Sequence, residues 1–265
     1  MVLKSVKTIR ALKRGLDVLR ALEGQSAMSL DDLFSRTKTP KATLSRILVT
    51  LQLEGLVSQR LADRKWVYGP GIGSGQRADI ANNLLIQASS GELAELCQKV
   101  IWPSDLSMRS GLRMVLVETS RPHARLIFNK LSVGFEIDFL LSAPGRAYLA
   151  FCPEKERNEI LGNLKKLTKY SFLFETGQMS HILDQVRAQG FGHRDSRWGG
   201  RASEFTSTYD DGLDAIAVPI RSGNSVLGCV NIVWIRSILP RRTVVDRHLV
   251  NLLETADRIA VAAVR

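Results

Sequence analysis

The chain has few of the residues that stabilise extracellular proteins or anchor membrane proteins. Only three cysteines, Cys97, Cys152 and Cys229, occur in 265 residues, and they lie far apart without a histidine at metal-ligand spacing. This spacing argues against a disulfide framework and against a zinc site. The sequence also lacks a secretory signal and any run of about 18 apolar residues. We therefore expect a reduced cytoplasmic protein with no membrane partner.

Motifs that carry catalysis are missing as well. The sequence contains no G-x-S-x-G elbow, no H-E-x-x-H pair and no P-loop, and its four histidines have no carboxylate or cysteine partner in a motif. The glycines of GPGIGSGQ, residues 69–76, alternate without the G-x-G-x-x-G spacing of a dinucleotide-binding loop, so they indicate a hinge. We expect no catalytic residue, no metal and no cofactor.

Positive charge is concentrated near the start of the chain. Residues 1–70 contain 13 Lys or Arg against 6 Asp or Glu, so they hold +7 of the formal net charge of +11. In the other residues, positive and negative charges are close to balanced. A small basic region beside a balanced one is typical of a nucleic-acid-binding domain attached to a domain with another task.

The stretch TPKATLSRILVTLQLEGLV, residues 39–57, predicts a helix with two unlike faces. Thr39 is the predicted N-cap, and Gly55 is the predicted left-handed residue that ends the helix. An apolar stripe at helical spacing consists of Leu44, Ile47, Leu48 and Leu51. The opposite face carries short polar side chains and two cations, Lys41 and Arg46, but no carboxylate.

Two further helices precede this stretch. IRALKRGLDVLRAL, residues 9–22, predicts a helix whose leucines lie around one face. SLDDLFSR, residues 29–36, predicts a short helix that opens with a capping box of Ser29 and Asp32 and buries Phe34. The short link between this helix and the next is typical of a helix-turn-helix unit.

A two-stranded wing follows the three helices. Residues 56–60 and 65–68 predict two strands around a polar tip. Three helices followed by such a hairpin form a winged helix-turn-helix, which we assign to residues 1–70. Residues 71–90 are assigned to a hinge and a linker helix that lead into a second domain.

The exposed face of the third helix is therefore the predicted DNA-reading surface. In a helix-turn-helix the second helix of the pair enters the major groove, where Arg46 can bind guanine bidentately. Cations of the wing and of the first helix would contact flanking phosphates. The predicted DNA-binding residues are Lys7, Arg10, Lys38, Thr39, Lys41, Thr43, Ser45, Arg46, Arg60, Arg64 and Lys65. The alternative is an ordinary solvated helix face.

From residue 91 onward the pattern is that of an α+β domain. Residues 76–99 predict the linker helix and a second helix, and SDLSMRS, RMVLVETS and ARLIFNKL predict three strands. Helical segments PGRAYLAFC, PEKERNEILGNL and QMSHILDQVRAQG come next, followed by the apolar strands LDAIAVPI and VLGCVNIVWI. The last helix has a predicted capping box of Thr243 and Asp246. An antiparallel sheet flanked by helices is typical of a sensor domain, so residues 91–265 are assigned to effector binding and oligomerisation.

A helix start in this domain is the predicted anion site. The N–H groups of Gly145 and Arg146, with the Ser142 hydroxyl, would point out of the helix and hold a carboxylate. The alternative is an ordinary capped helix. Asn231, an amide in an apolar strand, needs a hydrogen-bond partner when buried. RDSRWGG, residues 194–200, predicts a mobile lid that offers a stacking tryptophan. The predicted effector-binding residues are Met108, Phe139, Leu141, Ser142, Ala143, Gly145, Tyr148, Trp198, Ala217, Val218, Asn231 and Val233.

The chain resembles the IclR-type bacterial transcriptional regulators over essentially its whole length. The segments RGLDVLRAL, KATLSRILVTLQLEGLV, SAPGRAYLAF, VRAQGFG and AIAVPIRSGNSVLGCVNIV stand in that family's order and spacing. VIWPSDLS, AYLAFCPEKER and VPIRSGNSVLGCVNIVW look most like a subgroup that regulates phenylpropionate and related aromatic-acid catabolism. The resemblance implies a homodimer or homotetramer on a short pseudo-palindromic operator, with a GAF-like C-terminal domain that senses a small organic acid.

The resemblance also implies where the acid would bind. The family's acid-binding loop corresponds to residues 141–145, and its strand positions correspond to residues 217–219 and 231–233. Pro144 departs from the small residue that is frequent in the family, so this chain loses one N–H donor at the loop. Arg146 replaces a frequent lysine.

These observations lead to one leading hypothesis. The protein is expected to be a sequence-specific DNA-binding repressor or activator whose operator binding or promoter activity is controlled by an aromatic or other small carboxylate. It would be cytoplasmic, associated with the bacterial nucleoid when bound to its operator, and an activator would also contact RNA polymerase. The alternatives are a ligand-independent architectural DNA-binding protein and an enzyme tethered to DNA.

Overall fold

The computed structural model describes residues 9–23, 25, 27–68, 77–124, 131, 133–198 and 210–264, with the backbone alone for residues 77–83 and for Lys169. The chain divides into two compact units, Met1–Gln87 and Ala88–Arg265. Most of the predicted strand ARLIFNKL, the hinge glycines and Lys7 lie outside the described residues. Among the helices that the structure describes, none is both long and apolar enough to cross a membrane.

The N-terminal unit contains a winged helix-turn-helix, as the sequence predicts. Its elements are α1 (Arg10–Leu22), α2 (Leu30–Thr37), α3 (Lys41–Leu53), β1 (Val57–Gln59) and β2 (Trp66–Tyr68). The two strands pair in antiparallel register, with Ser58 opposite Val67. Leu22, Leu33, Leu44 and Leu48 are fully buried, so the apolar stripe of α3 packs into the core of this unit.

The helix ends explain why these short elements form. Ser29 caps α2 by accepting from the Asp32 N–H at 3.1 Å, while Asp32 accepts from the Ser29 N–H at 2.9 Å, which confirms the capping box. Gly55 has a φ of 70° and ends α3, because the Leu56 N–H then reaches the Leu51 carbonyl oxygen at 2.8 Å.

Two local predictions in this unit are wrong. Thr39 does not cap α3: the helix begins at Lys41 after an extended Pro40, and no side chain caps it. Phe34 is 42% exposed because Leu33, its neighbour on α2, occupies the core-facing position. The apolar face of α1 is buried only in its second half, and Leu12 is 59% exposed.

One helix, α4 (Arg77–Val100), covers the region for which the sequence predicted two helices. The interpretation as two helices was wrong because no residue between 77 and 100 breaks the hydrogen-bond ladder. A Cβ added at Gly91, the only glycine of α4, would meet no neighbouring atom, so no close contact there forces the helix to bend.

The C-terminal unit is built on a six-stranded antiparallel sheet. Its strands are β3 (Ser104–Ser110), β4 (Arg113–Thr119), β5 (Glu136–Ile137), β6 (Gly192–His193), β7 (Leu213–Ser222) and β8 (Ser225–Ile235). The order across the sheet is β5-β4-β3-β8-β7-β6. β7 and β8 form a long hairpin that turns at Gly223, where φ is 57°. This architecture confirms the predicted α+β domain.

Helices cover both faces of the sheet. They are α5 (Ala143–Phe151), α6 (Glu154–Leu164), α7 (Ser171–Glu175), α8 (Gln178–Gln189) and α9 (Arg241–Val264). Side chains alternate along a strand, so Ala217 and Val233 lie on the face where they pack with Ala143 and Ala147 of α5. The opposite face carries Val218 and is covered by α9.

Two helices of this unit differ from what the sequence predicted. The proposed capping box of Thr243 and Asp246 is wrong, because α9 begins at Arg241 and Thr243 already lies inside its first turn. The sequence patterns also did not indicate α7, which has only five residues and shows no helical period of its own.

Candidate functional sites

The exposed face of α3 carries three of the predicted DNA-binding side chains. Lys41, Ser45 and Arg46 are all exposed. The Ser45 hydroxyl donates to the Lys41 carbonyl oxygen at 3.0 Å, so its lone pairs remain directed outwards. Lys41 forms an ion pair with Asp31 of α2, and both side chains are more than half exposed. An exposed pair of this kind exchanges readily with a phosphate.

A second group of cations lies at the start of α1 and around the turn before α3. A cleft of about 350 Å³ separates the two elements. Its lining comprises Arg10, Lys13, Arg14, Asp17, Thr37, Lys38, Thr39 and Pro40. Lys13 and Arg14 were not among the predicted DNA-binding residues, although helical spacing places Arg14 one turn beyond Arg10.

Several predicted DNA-binding side chains are engaged or buried. Thr39 is 5% exposed, and its N–H is 3.3 Å from the Thr37 hydroxyl, so its side chain does not reach the surface. Arg60 holds Asp63 at the wing tip with its Nε at 3.1 Å. Thr43 is half-buried and lines an apolar groove between α1 and α3.

The wing tip leaves two cations at or near the surface. Arg64 adopts a left-handed conformation with a φ of 57° and is exposed, while Lys65 is half-buried. The Lys65 N–H donates to Asp63 Oδ1 at 3.1 Å, which fixes the turn. This geometry presents the Arg64 side chain at the end of the hairpin.

In the C-terminal unit, a cavity of about 40 Å³ lies between the sheet and the start of α5. We call it the sheet cavity. Its polar lining consists of Asp105, Arg121, Arg194, Trp198, Asp211 and Asn231. Its apolar lining consists of Leu131, Ile137, Ala143, Pro144, Leu213, Ala215 and Val233. A few polar groups within an apolar wall are typical of a small-molecule site.

One end of the sheet cavity is formed by a buried ion pair. Arg121 donates to Asp105 through Nη2 at 2.6 Å and Nε at 3.0 Å. Asn231 donates from Nδ2 to the same carboxylate at 3.3 Å. The Asn231 Oδ1 atom is buried and has no donor among the described residues. The amide predicted to need a partner therefore has one for its nitrogen but none for its oxygen.

The predicted anion site at the start of α5 is an ordinary helix cap. The Gly145 N–H donates to the Ser142 hydroxyl at 3.0 Å, and the Arg146 N–H donates to the Ser142 carbonyl at 3.1 Å. The expected outward-pointing N–H groups are thus consumed inside the helix, and that interpretation was wrong. Gly145 has a packing role, because a Cβ there would overlap with the Phe139 carbonyl oxygen.

Instead, the Arg146 side chain anchors the surrounding loops. Its fully buried guanidinium donates to the Leu140 carbonyl at 2.8 Å, to the His193 carbonyl at 3.2 Å and to Asp195 Oδ2 at 2.5 Å. Burial opposes ionisation of Asp195, but hydrogen bonds from Arg197 and the charge of Arg146 hold its pKa well below the usual range. This contact ties the start of α5 to the chain that follows β6.

Arg146 and Asp195 belong to a larger set of paired charges near the end of β6, of which only Arg194 and Asp211 line the sheet cavity. Arg194 donates to Asp211 at 2.8 Å, and Arg241 donates to Asp214 at 3.0 Å. We call the set the arginine–aspartate network. It consists of Arg146, Arg194, Arg197, Arg241, Asp195, Asp211 and Asp214. Among the charged residues that line the sheet cavity itself, Arg121 and Arg194 balance Asp105 and Asp211.

His193 lies beside this network and remains neutral at neutral pH. Burial, together with the charges of Arg241 and Arg146, lowers its pKa to about 4. The neutral imidazole therefore adds no positive charge to the arginine–aspartate network.

The structure brings together only part of the predicted effector-binding set. Ala143, Trp198, Asn231 and Val233 line the sheet cavity. Met108 and Val218 lie on the opposite face of the sheet, because each is an odd number of residues from a cavity-facing neighbour on its strand. The residues that pack around the cavity without lining it are Phe139, Leu141, Ser142, Gly145, Tyr148 and Ala217.

Trp198 is also not the exposed stacking surface of a lid. It is 8% exposed, and the Arg194 guanidinium stacks 4.5 Å from its ring centroid. In the described part of the predicted lid, Arg194, Asp195 and Trp198 are buried while residues 196–197 are exposed; residues 199–200 lie outside the described residues.

The charged residues that line the sheet cavity were not among the predicted effector-binding residues. Asp105, Arg121, Arg194 and Asp211 come from four separate places in the chain, and no short motif joins them. One signal was available, because Asp105 stands within a strand pattern and a charge on a buried strand requires a partner.

The fold and both sites define a class: a winged-helix DNA-binding unit joined in one chain to a ligand-binding α+β unit. The IclR helix-turn-helix domain matches residues 11–61, and the C-terminal domain of the bacterial transcriptional regulator IclR matches residues 78–261. The chain belongs to the IclR family of bacterial transcriptional regulators.

Curated and solved relatives agree with this assignment. The chain is 27% identical over 161 residues to the HTH-type transcriptional regulator TsaQ1/TsaQ2 of Comamonas testosteroni, covering 60% of this chain and 57% of that protein. It is 24% identical over 225 residues to the glycerol operon regulatory protein of Streptomyces coelicolor, covering 81% of this chain and 80% of that protein. An IclR homologue from Microbacterium hydrocarbonoxydans, crystallised with 4-hydroxybenzoate, has the same fold at a TM-score of 0.51. It is 20% identical, and the match covers 96% of this chain and 98% of that chain.

Proposed function

We propose that this IclR-family regulator reads its operator with the exposed face of α3 and is controlled by a small carboxylate bound in the C-terminal unit. The observation that carries the DNA-binding half is the set of exposed cations on α1 and α3. Arg10, Arg14 and Arg46 are exposed and have no ion-pair partner in the described part of the chain. Such cations release counterions from DNA when they bind phosphates.

Arg46 is the residue proposed to read bases. Its position on α3 corresponds to the helix that enters the major groove, and a guanidinium matches the acceptor pair of guanine. Arg46→Ala should cost roughly 1–3 kcal/mol of specific binding and relax sequence preference. Arg36→Ala on α2, which removes an equally exposed charge outside α3, is the matched control.

Fluorescence anisotropy with the upstream intergenic DNA and with random DNA tests this role. The natural protein should lose affinity steeply as salt rises. Arg46→Ala should weaken specific binding more than random binding, whereas Arg36→Ala should affect both alike. Equal losses on the two DNAs for Arg46→Ala would contradict base reading.

The effector half rests on the polar groups set in the apolar lining of the sheet cavity. Arg194 belongs both to the arginine–aspartate network and to this lining, so its guanidinium is a candidate partner for a carboxylate. We carry the acid class over from the family resemblance, and the aromatic subclass from the relative crystallised with 4-hydroxybenzoate. An acid that binds only the folded protein should raise its melting temperature with increasing concentration.

A thermal-shift panel of aromatic and aliphatic carboxylates, with the matching amides as uncharged controls, tests this half. We expect at least one acid to stabilise the protein and its amide to have little effect. Equal shifts for an acid and its amide would contradict recognition of the carboxylate. We further propose self-association to a dimer or dimer of dimers, which sedimentation measures directly.

A further inference from the structure

Val49 is an exposed apolar side chain on the proposed DNA-reading face of α3. It is 54% exposed. Ala42, Ser45 and Arg46 are exposed as well. These four residues stand at positions i, i+3, i+4 and i+7, so they share one face of the helix. Val49 therefore lies beside the cation that is proposed to bind guanine.

The N-terminal unit gives Val49 no packing role. Leu44 and Leu48, on the other side of α3, are fully buried in the core, and within the part of the chain that the structure describes Val49 does not join that core. Val49 also lies outside the lining of the apolar groove between α1 and α3, to which Ile47 and Leu51 belong. A β-branched residue loses rotamer freedom in a helix, so an exposed helical position does not favour valine. Neither packing nor helix propensity accounts for valine here.

The hydroxyl protons on and beside this face are used within the helix. Ser45 Oγ donates to the Lys41 carbonyl oxygen at 3.0 Å, and Thr50 Oγ1 donates to the Arg46 carbonyl oxygen at 3.0 Å. Val49 has neither a donor nor an acceptor in its side chain, so it can recognise only an apolar group on a base. The C5-methyl group of thymine is the apolar group that the major groove displays.

The spacing along α3 places Val49 close to the base pair that Arg46 would contact. Val49 follows Arg46 by three residues, which is about 4.5 Å along a helix that rises 1.5 Å per residue. Base pairs follow one another about every 3.4 Å along the duplex. A helix that lies along the groove therefore brings Val49 to a base pair one or two steps from the guanine.

We infer that Val49 packs on the C5-methyl group of a thymine that lies one or two base pairs from the guanine contacted by Arg46. This inference rests on the proposed entry of α3 into the major groove, and it names a second base and the side chain that reads it. The contact buries apolar surface on both partners, so it favours a base that carries the methyl group. The burial of one methyl group corresponds to about a fourfold preference in each half-site.

Uracil provides the test, because it pairs as thymine does and lacks only the methyl group. The upstream intergenic DNA is prepared once with thymine and once with uracil throughout, and random DNA is prepared in the same two forms. Fluorescence anisotropy at one salt concentration measures the affinity of the full chain for all four. The natural chain should bind the thymine form of the intergenic DNA about 15-fold more tightly if two half-sites are engaged. The two forms of random DNA should bind alike.

Two valine variants assign the preference to a side chain. Val49→Ala shortens the side chain, so it should bind the two forms of the intergenic DNA almost equally. Val250→Ala on α9 is the matched control, because Val250 is also an exposed helical valine, 65% exposed, and belongs to the C-terminal unit. That variant should keep the preference of the natural chain. Both variants should fold, since alanine has the higher helix propensity at an exposed position.

Single uracil substitutions in the intergenic DNA then locate the thymine. The largest loss of affinity should lie one or two base pairs from the guanine that Arg46→Ala no longer distinguishes. A loss confined to more distant positions would overturn the contact with Val49.

Every other outcome also decides the inference. Equal binding of the thymine and uracil forms by the natural chain overturns the methyl contact, while a preference for intergenic over random DNA leaves the proposed reading by α3 standing. A preference for thymine that survives in Val49→Ala overturns the role of Val49. An equal loss on random DNA assigns the effect to the flexibility of the duplex and overturns the inference as well. Absence of any preference for intergenic over random DNA contradicts both this inference and the proposed function.

Discussion

The two units use arginine in opposite ways. In the N-terminal unit, Arg10, Arg14 and Arg46 are exposed without an ion-pair partner in the described residues. In the C-terminal unit, Arg146 and Arg194 are buried and each holds an aspartate. An exposed guanidinium keeps its hydration and stays available to a polyanion. A buried one must be neutralised within the protein, so it fixes loops and shapes a polar cavity.

Removal of a buried anion should give the largest effect. Asp195→Asn leaves the buried Arg146 charge without its partner, and loss of one member of a buried pair costs roughly 3–5 kcal/mol of unfolding free energy. The control is Asp184→Asn, because Asp184 is 71% exposed in its pair with Arg187 and an exposed pair contributes at most about 1 kcal/mol. Urea unfolding measures the unfolding free energy of both variants. Similar losses of stability would contradict the contrast between buried and exposed ion pairs.

The half-buried His193 should give the next effect, as a dependence of stability on pH. Its pKa is about 4 in the folded chain against an ordinary 6.5, so the unfolded chain binds the proton more readily. The stability from neutral His193 is therefore complete above pH 6.5 and decreases as the pH falls towards about 4. We expect a loss of roughly 2–3 kcal/mol across this window.

His193→Gln isolates this contribution from the carboxylates that also titrate in acid. The variant should lose less stability than the natural chain between pH 6.5 and about 4. Unfolding curves that shift in parallel for the two proteins would show that His193 is not the group responsible.

The exposed pair between α2 and the proposed DNA-reading face of α3 should give the smallest effect, and its removal should favour binding. Asp31→Asn frees Lys41 and removes an anion next to the DNA, so affinity for the operator should rise by less than about 1 kcal/mol. Glu54→Gln removes an exposed charge at the other end of α3 without freeing Lys41. Anisotropy titrations at low salt compare the operator affinities of the two variants. An equal gain in affinity for Glu54→Gln would assign the effect to net charge alone.

Much of the N-terminal unit was predictable because its signals are local. The Ser29 capping box and the Gly55 stop each depend on residues within one or two turns, and both are confirmed. The errors fall where a local signal competes with packing. Thr39 has the chemistry of an N-cap, but Pro40 occupies that position and Thr39 is drawn into the interior.

The site in the C-terminal unit was predictable only in part. Asn231 was identified because an amide in an apolar strand requires a partner, and the structure supplies Asp105 for its nitrogen. The anion site at Gly145 was wrong because a helix-start sequence does not reveal whether its N–H groups are already used. Arg146 was considered for its backbone, yet its side chain makes the important contacts.

The sequence by itself determined the class of each unit: helical periods, caps, strand alternation and the concentration of positive charge are properties of neighbouring residues. Only the tertiary structure decided which charges meet. Asp105 and Asn231 are 126 residues apart and become neighbours because β3 pairs with β8. Arg194 reaches the same cavity because β6 adds to β7. Strand pairing between distant segments depends on the packing of the whole unit, so the cavity and its chemistry exist only after the sheet has formed.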